Sequence, residues 1–421
     1  MGYFSRSAVP AVAMTLAASA ALSACTGDDP LPPREPAAVD ISVKGVDAMT
    51  LGLMVSSTSD RGEGSDYTGP SAGAELASYR LKLGGAKVEL VVVDDRGSAD
   101  EAETGMQELI DQGVSGIVLA TSGKHVVPAL TAASDAGIPV VAPYLRTTET
   151  LPAGVYVTGP SETAITDALT RAMEADEVTK PVTLTADDVP VPAVGAGAPL
   201  PLTGAGLEDL VEDIATSVED EQVDSVVISA SATNQAAAVA ALQGAVPDVP
   251  VYLTPEATTP TFATTLRNGN GTPAGRFVSV GSPASDSSTL DSSDEADSAA
   301  AYFAALRLGA ADETFTSALD DAPFAGVAGA ADLPSHDAVV SLVRAAAKAK
   351  STDPAEVGAA LEGLKVGVKQ HLAGPALDFS APYALPQKAV VPLYATTQDP
   401  GVRPADSTPV LTWFGLPEDS L

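Results

Sequence analysis

From residue 50 the chain alternates short apolar runs with longer amphipathic ones, and this alternation predicts a strand–helix repeat. TLGLMVS (50–56) reads as a strand, followed by a Gly/Ser/Asp loop to 70. PSAGAELASYRLKLGG (70–85) has apolar positions at helical spacing and a glycine pair as its stop. KVELVVVDD (87–95) is a buried-strand pattern that closes on two carboxylates. SADEAETGMQELIDQG (98–113) predicts an amphipathic helix ended by Gly113. SGIVLATSG (115–123) is strand then loop, KHVVPALTAASDAG (124–137) a helix opening, and IPVVAPYL (138–145) another strand.

The rhythm returns after residue 180. Strands are predicted over 181–188, 223–231, 249–256 and 275–283, with helices over 206–222 and 233–245. Residues 284–298 are polar and acidic and read as an exposed loop. Helices follow over 296–310, 335–350 and 353–365, the last with Asp353 as cap candidate and Pro354 in its first turn. From 366 the chain is Pro-rich, with a short strand at 389–396. Strands alternating with helices imply an α/β fold of doubly wound parallel sheets, whose ligands bind beyond the carboxyl ends of the strands. One interval breaks the rhythm: DDVPVPAVGAGAPLPLTGAG (187–206) carries Pro190, Pro192, Pro199 and Pro201, and a regular helix is excluded there.

Composition narrows the function. The 421 residues are 45% hydrophobic but only 4% aromatic, so the core is built from small and aliphatic side chains. The formal net charge of −33 repels a phosphate backbone and disfavours an anionic membrane surface, leaving solubility or a basic partner as its meaning. The single cysteine, Cys25, excludes an intramolecular disulfide and a cysteine-based zinc site. His125, His336 and His371 fit no metal-ligand spacing, so neither a metal nor a cofactor is expected. Asp94-Asp95 reads as structural, and without a Ser-His-Asp order, metal cluster or phosphate loop the chain is not expected to be an enzyme.

The N-terminus reads as an address. Residues 1–10 carry Arg6, and AVAMTLAASAALSA (11–24) is apolar but shorter than the about 20 residues of a membrane span. Leu22-Ser23-Ala24-Cys25 resembles the bacterial lipobox. That resemblance implies a signal peptide over 1–24, lipidation (palmitate) of Cys25, and an acidic, Pro-rich tether over 25–47. The alternative is a signal peptide with a chance cysteine.

Four stretches carry a wider resemblance: GPSAGAELA (69–77), ELVVVDDRGSADEAETGMQELIDQGVSGIVLATSG (89–123), GIPVVAP (137–143) and SHDAVVSLVRAAAKAKSTDPAEVGAALEGLK (335–365). Together they resemble the substrate-binding lipoproteins of ABC transporters, of type I periplasmic-binding-protein fold, in the branch that binds branched-chain amino acids. The resemblance implies two α/β lobes joined by a three-crossover hinge. Lobe 1 would take 48–156 plus 284–350, and lobe 2 would take 157–283 plus 351–400, with 401–421 as a C-terminal tail.

It also implies a ligand cleft. Ser122 and Gly123 fall in the loop that holds a ligand carboxylate, where free N–H groups and a helix start suit an anion. The loop after the fourth strand supplies Leu145, Arg146 and Thr147, and Tyr144 and Arg146 depart from the small residues usual there. Lys124 and His125 add positive character. Glu256, in Thr254-Pro255-Glu256, falls at the carboxylate that binds the ligand ammonium. Ser231, Asp66 and Tyr67 complete the candidates. Each also has a plain structural reading as a helix cap or a surface residue. At 187–206 the related proteins have a tyrosine-bearing loop, a helix and a strand, so the second lobe is expected to be trimmed beside the cleft.

Two functions follow. The first is an extracytoplasmic solute-binding lipoprotein, monomeric and anchored to the bacterial cell membrane, that captures a small amino acid or related carboxylate or amide and docks on an ABC permease. The second is a non-transport sensor or scaffold lipoprotein with the same fold and an altered or lost ligand site.

Overall fold

Strand β1 (Ala48–Val55) buries Leu51, Leu53, Met54 and Val55 completely, because helices cover both faces of its sheet. It pairs in parallel with β2 (Lys87–Asp94) and β3 (Ile117–Leu119), and β4 (Val140–Ala142) and β5 (Val155–Val157) continue the sheet in the order β2-β1-β3-β4-β5. The connecting helices are α1 (Ala72–Leu83), α2 (Ala99–Asp111) and α3 (Val127–Asp135). In α2, Ala102, Met106 and Leu109 form the buried stripe while Asp100, Glu101 and Glu103 face outward, and Gly113 turns the chain at φ 64°. The computed structural model describes residues 38–60, 64–187, 189–202, 206–273, 275–405 and 411–416. The proposed signal peptide and Cys25 lie outside them, as does most of the tether.

Helix α4 (Glu162–Ala175) opens a second half, its start capped by Ser161, which accepts from the N–H of Ala164. There follow β6 (Pro181–Thr185), β7 (Leu200–Pro201), α5 (Leu207–Glu219), β8 (Ser225–Ser229), α6 (Ala232–Ala245), β9 (Val251–Leu253), α7 (Pro260–Asn268) and β10 (Phe277–Gly281). Strands β7-β6-β8-β9-β10 run parallel in the order of the first sheet, so the same half is built twice. In the second copy β7 is two residues at the sheet edge, where Pro201 forfeits no central ladder bond. The described residues between β6 and β7 contain no helix, as the prolines require.

The chain then returns to the first sheet with α8 (Asp294–Ala311), α9 (Ala325–Ala328), α10 (Leu333–Ala349) and α11 (Pro354–Leu361). A short ribbon pairs β11 (Lys365–Val366) with β12 (Leu377–Asp378). Finally β13 (Val391–Thr396) joins β10 antiparallel, and β14 (Thr412–Gly415) pairs with β13. The expected assignment of 351–400 to the second lobe is corrected here. Helix α11 packs on α10, Phe379 meets Tyr156 edge-on at 5.3 Å, and Val157 exchanges backbone bonds with Pro382 and Ala384. The chain rejoins the second sheet only at β13. Its tail crosses back once more: Arg403 forks onto Asp286 at 2.8 and 2.9 Å, and donates to the carbonyls of Gly329 and Ala331 beside Phe303.

Helices α1 and α10 touch through Gly73. A Cβ there would stand 2.0 Å from the Asp332 carbonyl oxygen and 2.5 Å from the Ser335 hydroxyl. Alanine normally gains about 1 kcal/mol over glycine inside a helix, but overpacking against backbone costs about 1–3 kcal/mol or more. Gly73→Ala is therefore expected to destabilise the protein and lower its melting temperature, followed by circular dichroism. An unchanged or raised melting temperature would show that the two helices slide apart freely.

Behind that seam lies a buried polar chain. Arg80 Nη1 lies 3.0 Å from His336 Nε2, and His336 Nδ1 lies 2.8 Å from Asp337 Oδ1. A guanidinium can only donate, so Nε2 accepts and the ring's proton sits on Nδ1, facing Asp337. The Asp337 carboxylate also accepts from the N–H groups of Ala373 and Gly374, both at 2.7 Å.

Candidate functional site

The loops at the carboxyl ends of the two sheets meet at Arg146, which follows β4. The side chain is buried, and it leaves the first lobe to lie among residues of the second. Its Nε donates to Glu162 Oε1 (2.9 Å) and Nη2 to Glu162 Oε2 (2.7 Å), a fork on the first residue of α4. Nη1 donates to both oxygens of Glu256 (2.9 and 3.1 Å), just beyond β9, and Nη2 to the Pro190 carbonyl (2.8 Å), beyond β6. These five bonds match the five N–H groups of a guanidinium. Burial works against the charge, yet the Glu256 and Glu162 carboxylates hold the Arg146 pKa above the ordinary arginine value.

A second contact of opposite polarity crosses the cleft beside it. Asp66, buried in a 3-10 turn (Ser65–Tyr67) of the first lobe, accepts from the Ala232 N–H at the start of α6 and from the Thr261 hydroxyl. Burial raises its pKa, and the Glu256 and Asp187 charges add to the rise. Tyr67 stacks on Tyr144 with ring centroids 4.4 Å apart, and the Tyr144 hydroxyl donates to Asp332 Oδ2 at 2.7 Å. Burial lifts the Asp332 carboxyl to about 6. The Tyr144 and Arg146 departures noted in the sequence therefore fill the cleft between the lobes with the chain's own side chains.

Space remains at the cleft mouth. A cavity of about 500 Å³ is lined from the first lobe by Lys124, Val127 and the loop 146–149, and from the second by Thr185, Asp187 and the loop 189–191. It lies where the described residues of the interval 187–201 contain no helix. Its hydroxyls, flanking charges and valines suit a small polar solute with an apolar part.

Several expected ligand contacts are reassigned. Arg146 and Glu256, both expected to contact a ligand, are joined to each other. Leu145 is a core residue, 1% exposed among the aliphatic side chains around β3 and β4, and cannot reach a ligand. Ser231 caps α6: its hydroxyl accepts from the Asn234 N–H, and its own N–H donates to Asp187. Ser122 Oγ accepts from the Arg146 N–H at 3.3 Å and so steadies that loop. Gly123, at φ 135°, lets the His125 ring lie close, since a Cβ would stand 2.6 Å from Nδ1. Thr147 Oγ1 accepts from the Glu149 N–H while the residue borders the cavity. The sequence gives no sign that Glu162, the Pro190 carbonyl or Thr185 belongs to the site. An acidic residue in a first helical turn reads as ordinary dipole compensation, which hides Glu162.

Ser56, His125 and Asp95 have the composition of a nucleophilic triad but not its wiring. Ser56 Oγ (3.5 Å) and Asp95 Oδ2 (3.1 Å) both face Nε2, so the ring cannot accept from one partner while its other nitrogen is held by the second. The group ties together the ends of β1, β2 and β3.

This architecture, two doubly wound lobes closing on an interlobe cleft, defines a bilobal binding protein. The chain belongs to the periplasmic binding protein family, whose sequence pattern matches residues 50–389. No curated protein matches it in sequence. Among solved structures, an extracellular ligand-binding receptor from Rhodopseudomonas palustris HaA2 is similar, with TM-score 0.62, 15% identity, and coverage of 86% of this chain and 99% of that one. The branched-chain amino acid transporter substrate-binding protein of Streptococcus pneumoniae, in complex with isoleucine, has TM-score 0.60 at 16% identity, over 87% and 99%. An ABC-transporter solute-binding protein of R. palustris, in complex with 4-hydroxybenzoate, has TM-score 0.60 at 17% identity, over 89% and 99%. At these identities the likeness is one of fold, the type I periplasmic-binding-protein fold.

Proposed function

We propose that the protein is an extracytoplasmic solute-binding lipoprotein of an ABC importer, carrying a small polar solute in the cavity at the cleft mouth. The observation that carries this reading is the cavity itself, about 500 Å³ and lined from both lobes, as lobe closure around a solute requires. The similar proteins solved with isoleucine and 4-hydroxybenzoate support a small carboxylate as the class of solute. Lipid on Cys25 would hold the body to the outer face of the cell membrane as a monomer, within reach of its permease. The filled cleft centre supports a second reading, a sensor or scaffold lipoprotein that kept the fold without a transported solute.

Thermal denaturation against amino acids, dicarboxylates, aromatic carboxylates, short amides and urea separates the two. A solute at 100 times its Kd adds about 2.7 kcal/mol, a shift of roughly 2 °C for a body of this size. The expected result is a shift from one compound that is lost in Thr185→Val, which removes a cavity hydroxyl at nearly constant volume. No shift across the panel, from folded and ligand-free protein, would favour the sensor or scaffold.

A further inference from the structure

We infer that Arg146 is a built-in occupant of the cleft: its guanidinium fills a cation seat built on the second lobe, closes the lobes without solute, and sets the protein's specificity against cationic solutes. The inference rests on the solute-binding reading only in taking the interlobe cleft as the place where solutes enter.

The seat belongs wholly to the second lobe. Glu162 opens α4, Glu256 follows β9 and Pro190 follows β6. Two carboxylates and a carbonyl converge there on one planar group. The cation comes wholly from the first lobe, on a loop held by the Ser122 hydroxyl and next to the Tyr144–Tyr67 stack. Planar geometry matters, since the Nε–Nη2 edge serves Glu162 while Nη1 serves Glu256, a division that a spherical ammonium cannot reproduce. Without the guanidinium, the buried Glu256 carboxylate and the half-buried Glu162 carboxylate would lose the cation they share, so the unfilled seat must either open to water or take up another cation.

The second cross-lobe contact has the opposite polarity. The Asp66 carboxylate of the first lobe occupies the N–H of Ala232 and the hydroxyl of Thr261 on the second. The first lobe thus presents one cation and one anion to the second, as a zwitterionic solute would. A cationic solute has to displace Arg146 from the seat, whereas a solute in the mouth cavity leaves the seat undisturbed.

The experiment uses the purified protein, the variants Arg146→Ala and Glu162→Gln, and methylguanidinium as probe. Small-angle scattering of the wild type without solute is expected to match the closed lobes. Arg146→Ala is expected to show a larger radius of gyration and to bind methylguanidinium at least about tenfold more tightly than the wild type, with closure restored. Glu162→Gln, which keeps Arg146 but breaks its fork, is expected to open in part and to gain no methylguanidinium affinity. It also serves as the test should Arg146→Ala fail to fold. An open wild type, an Arg146→Ala protein that stays closed and gains no affinity, or a Glu162→Gln protein indistinguishable from the wild type would overturn the inference. A wild type that stays closed yet answers to none of the solutes in the thermal panel would sink the transport reading and leave this one standing.

Discussion

Replacing Asp337 by alanine is expected to cost the folded protein about 3–5 kcal/mol. Its carboxylate accepts from three donors, the His336 ring and the N–H groups of Ala373 and Gly374, with both residues of the His336–Asp337 pair buried. On the far side of the ring, Arg80 is completely buried and donates Nε–H to the Val39 carbonyl; burial lowers its pKa to about 10, and the Asp337 charge is the main effect opposing that fall. Alanine would strand the three donors and leave the guanidinium without its counter-charge. Asp337→Asn keeps one acceptor and loses the charge, so about half the effect is expected. Urea unfolding followed by circular dichroism measures both. A loss below about 1 kcal/mol in the alanine variant would mean that water replaces the carboxylate, and the network would then be dispensable.

Glu75 should show the opposite behaviour, a buried carboxylate that opposes folding at neutral pH. It is 2% exposed in the first turn of α1, accepting from the Ser317 hydroxyl at 3.0 Å and the Ala318 N–H at 2.9 Å. Burial pushes its carboxyl from the ordinary 4.5 up to about 7, against the lowering effect of those two bonds. The folded state therefore holds this proton more tightly than the unfolded state. The resulting stabilisation is complete below pH 4.5 and is lost as the pH rises to about 7. Glu75→Gln, which is always neutral and can still accept from the Ala318 N–H, is expected to raise stability at pH 8 by about 1–3 kcal/mol and to change little at pH 4. Denaturant titrations at the two pH values decide it, and an equal effect at both would show that Glu75 is not the titrating group.

The sequence carried most of the first half of the fold. There the strands have unbroken apolar cores and α2 has a clean stripe, so the periodicities of two and 3.6 separate well. Other elements were not assigned. Strand β5 is three residues long, α7 opens on Pro260, and β14 is a strand because β13 offers it an edge. Helix α4 escapes the sequence reading although Ile165, Ala168, Leu169 and Ala172 stand at helical spacing and form its buried stripe. The loops of the site were also legible, because ligands of such sheets gather at strand ends. What the chain order could not convey was pairing. Arg146 and Glu256 lie 110 residues apart, and each considered alone is a group awaiting a ligand. Their union needs the two lobes in place. Leu145 failed as a contact for a simpler reason: beside a polar loop residue, an apolar neighbour points into the core.

The order in which the chain visits its two sheets also bears on how the protein is made. The first sheet is complete at Val157, but α10, which packs against α1, β3 and β4, begins only at Leu333. The whole parallel core of the second sheet lies between. Neither half can be cut out as one continuous fragment, and the first to be synthesised is the one that waits. The part of its apolar face that α1 leaves for α10 stays uncovered until the last third of the chain arrives, and contacts of such sequence separation fold slowly. The interval is one in which the nascent chain depends on its strong negative charge, or on a chaperone, to remain apart from its neighbours.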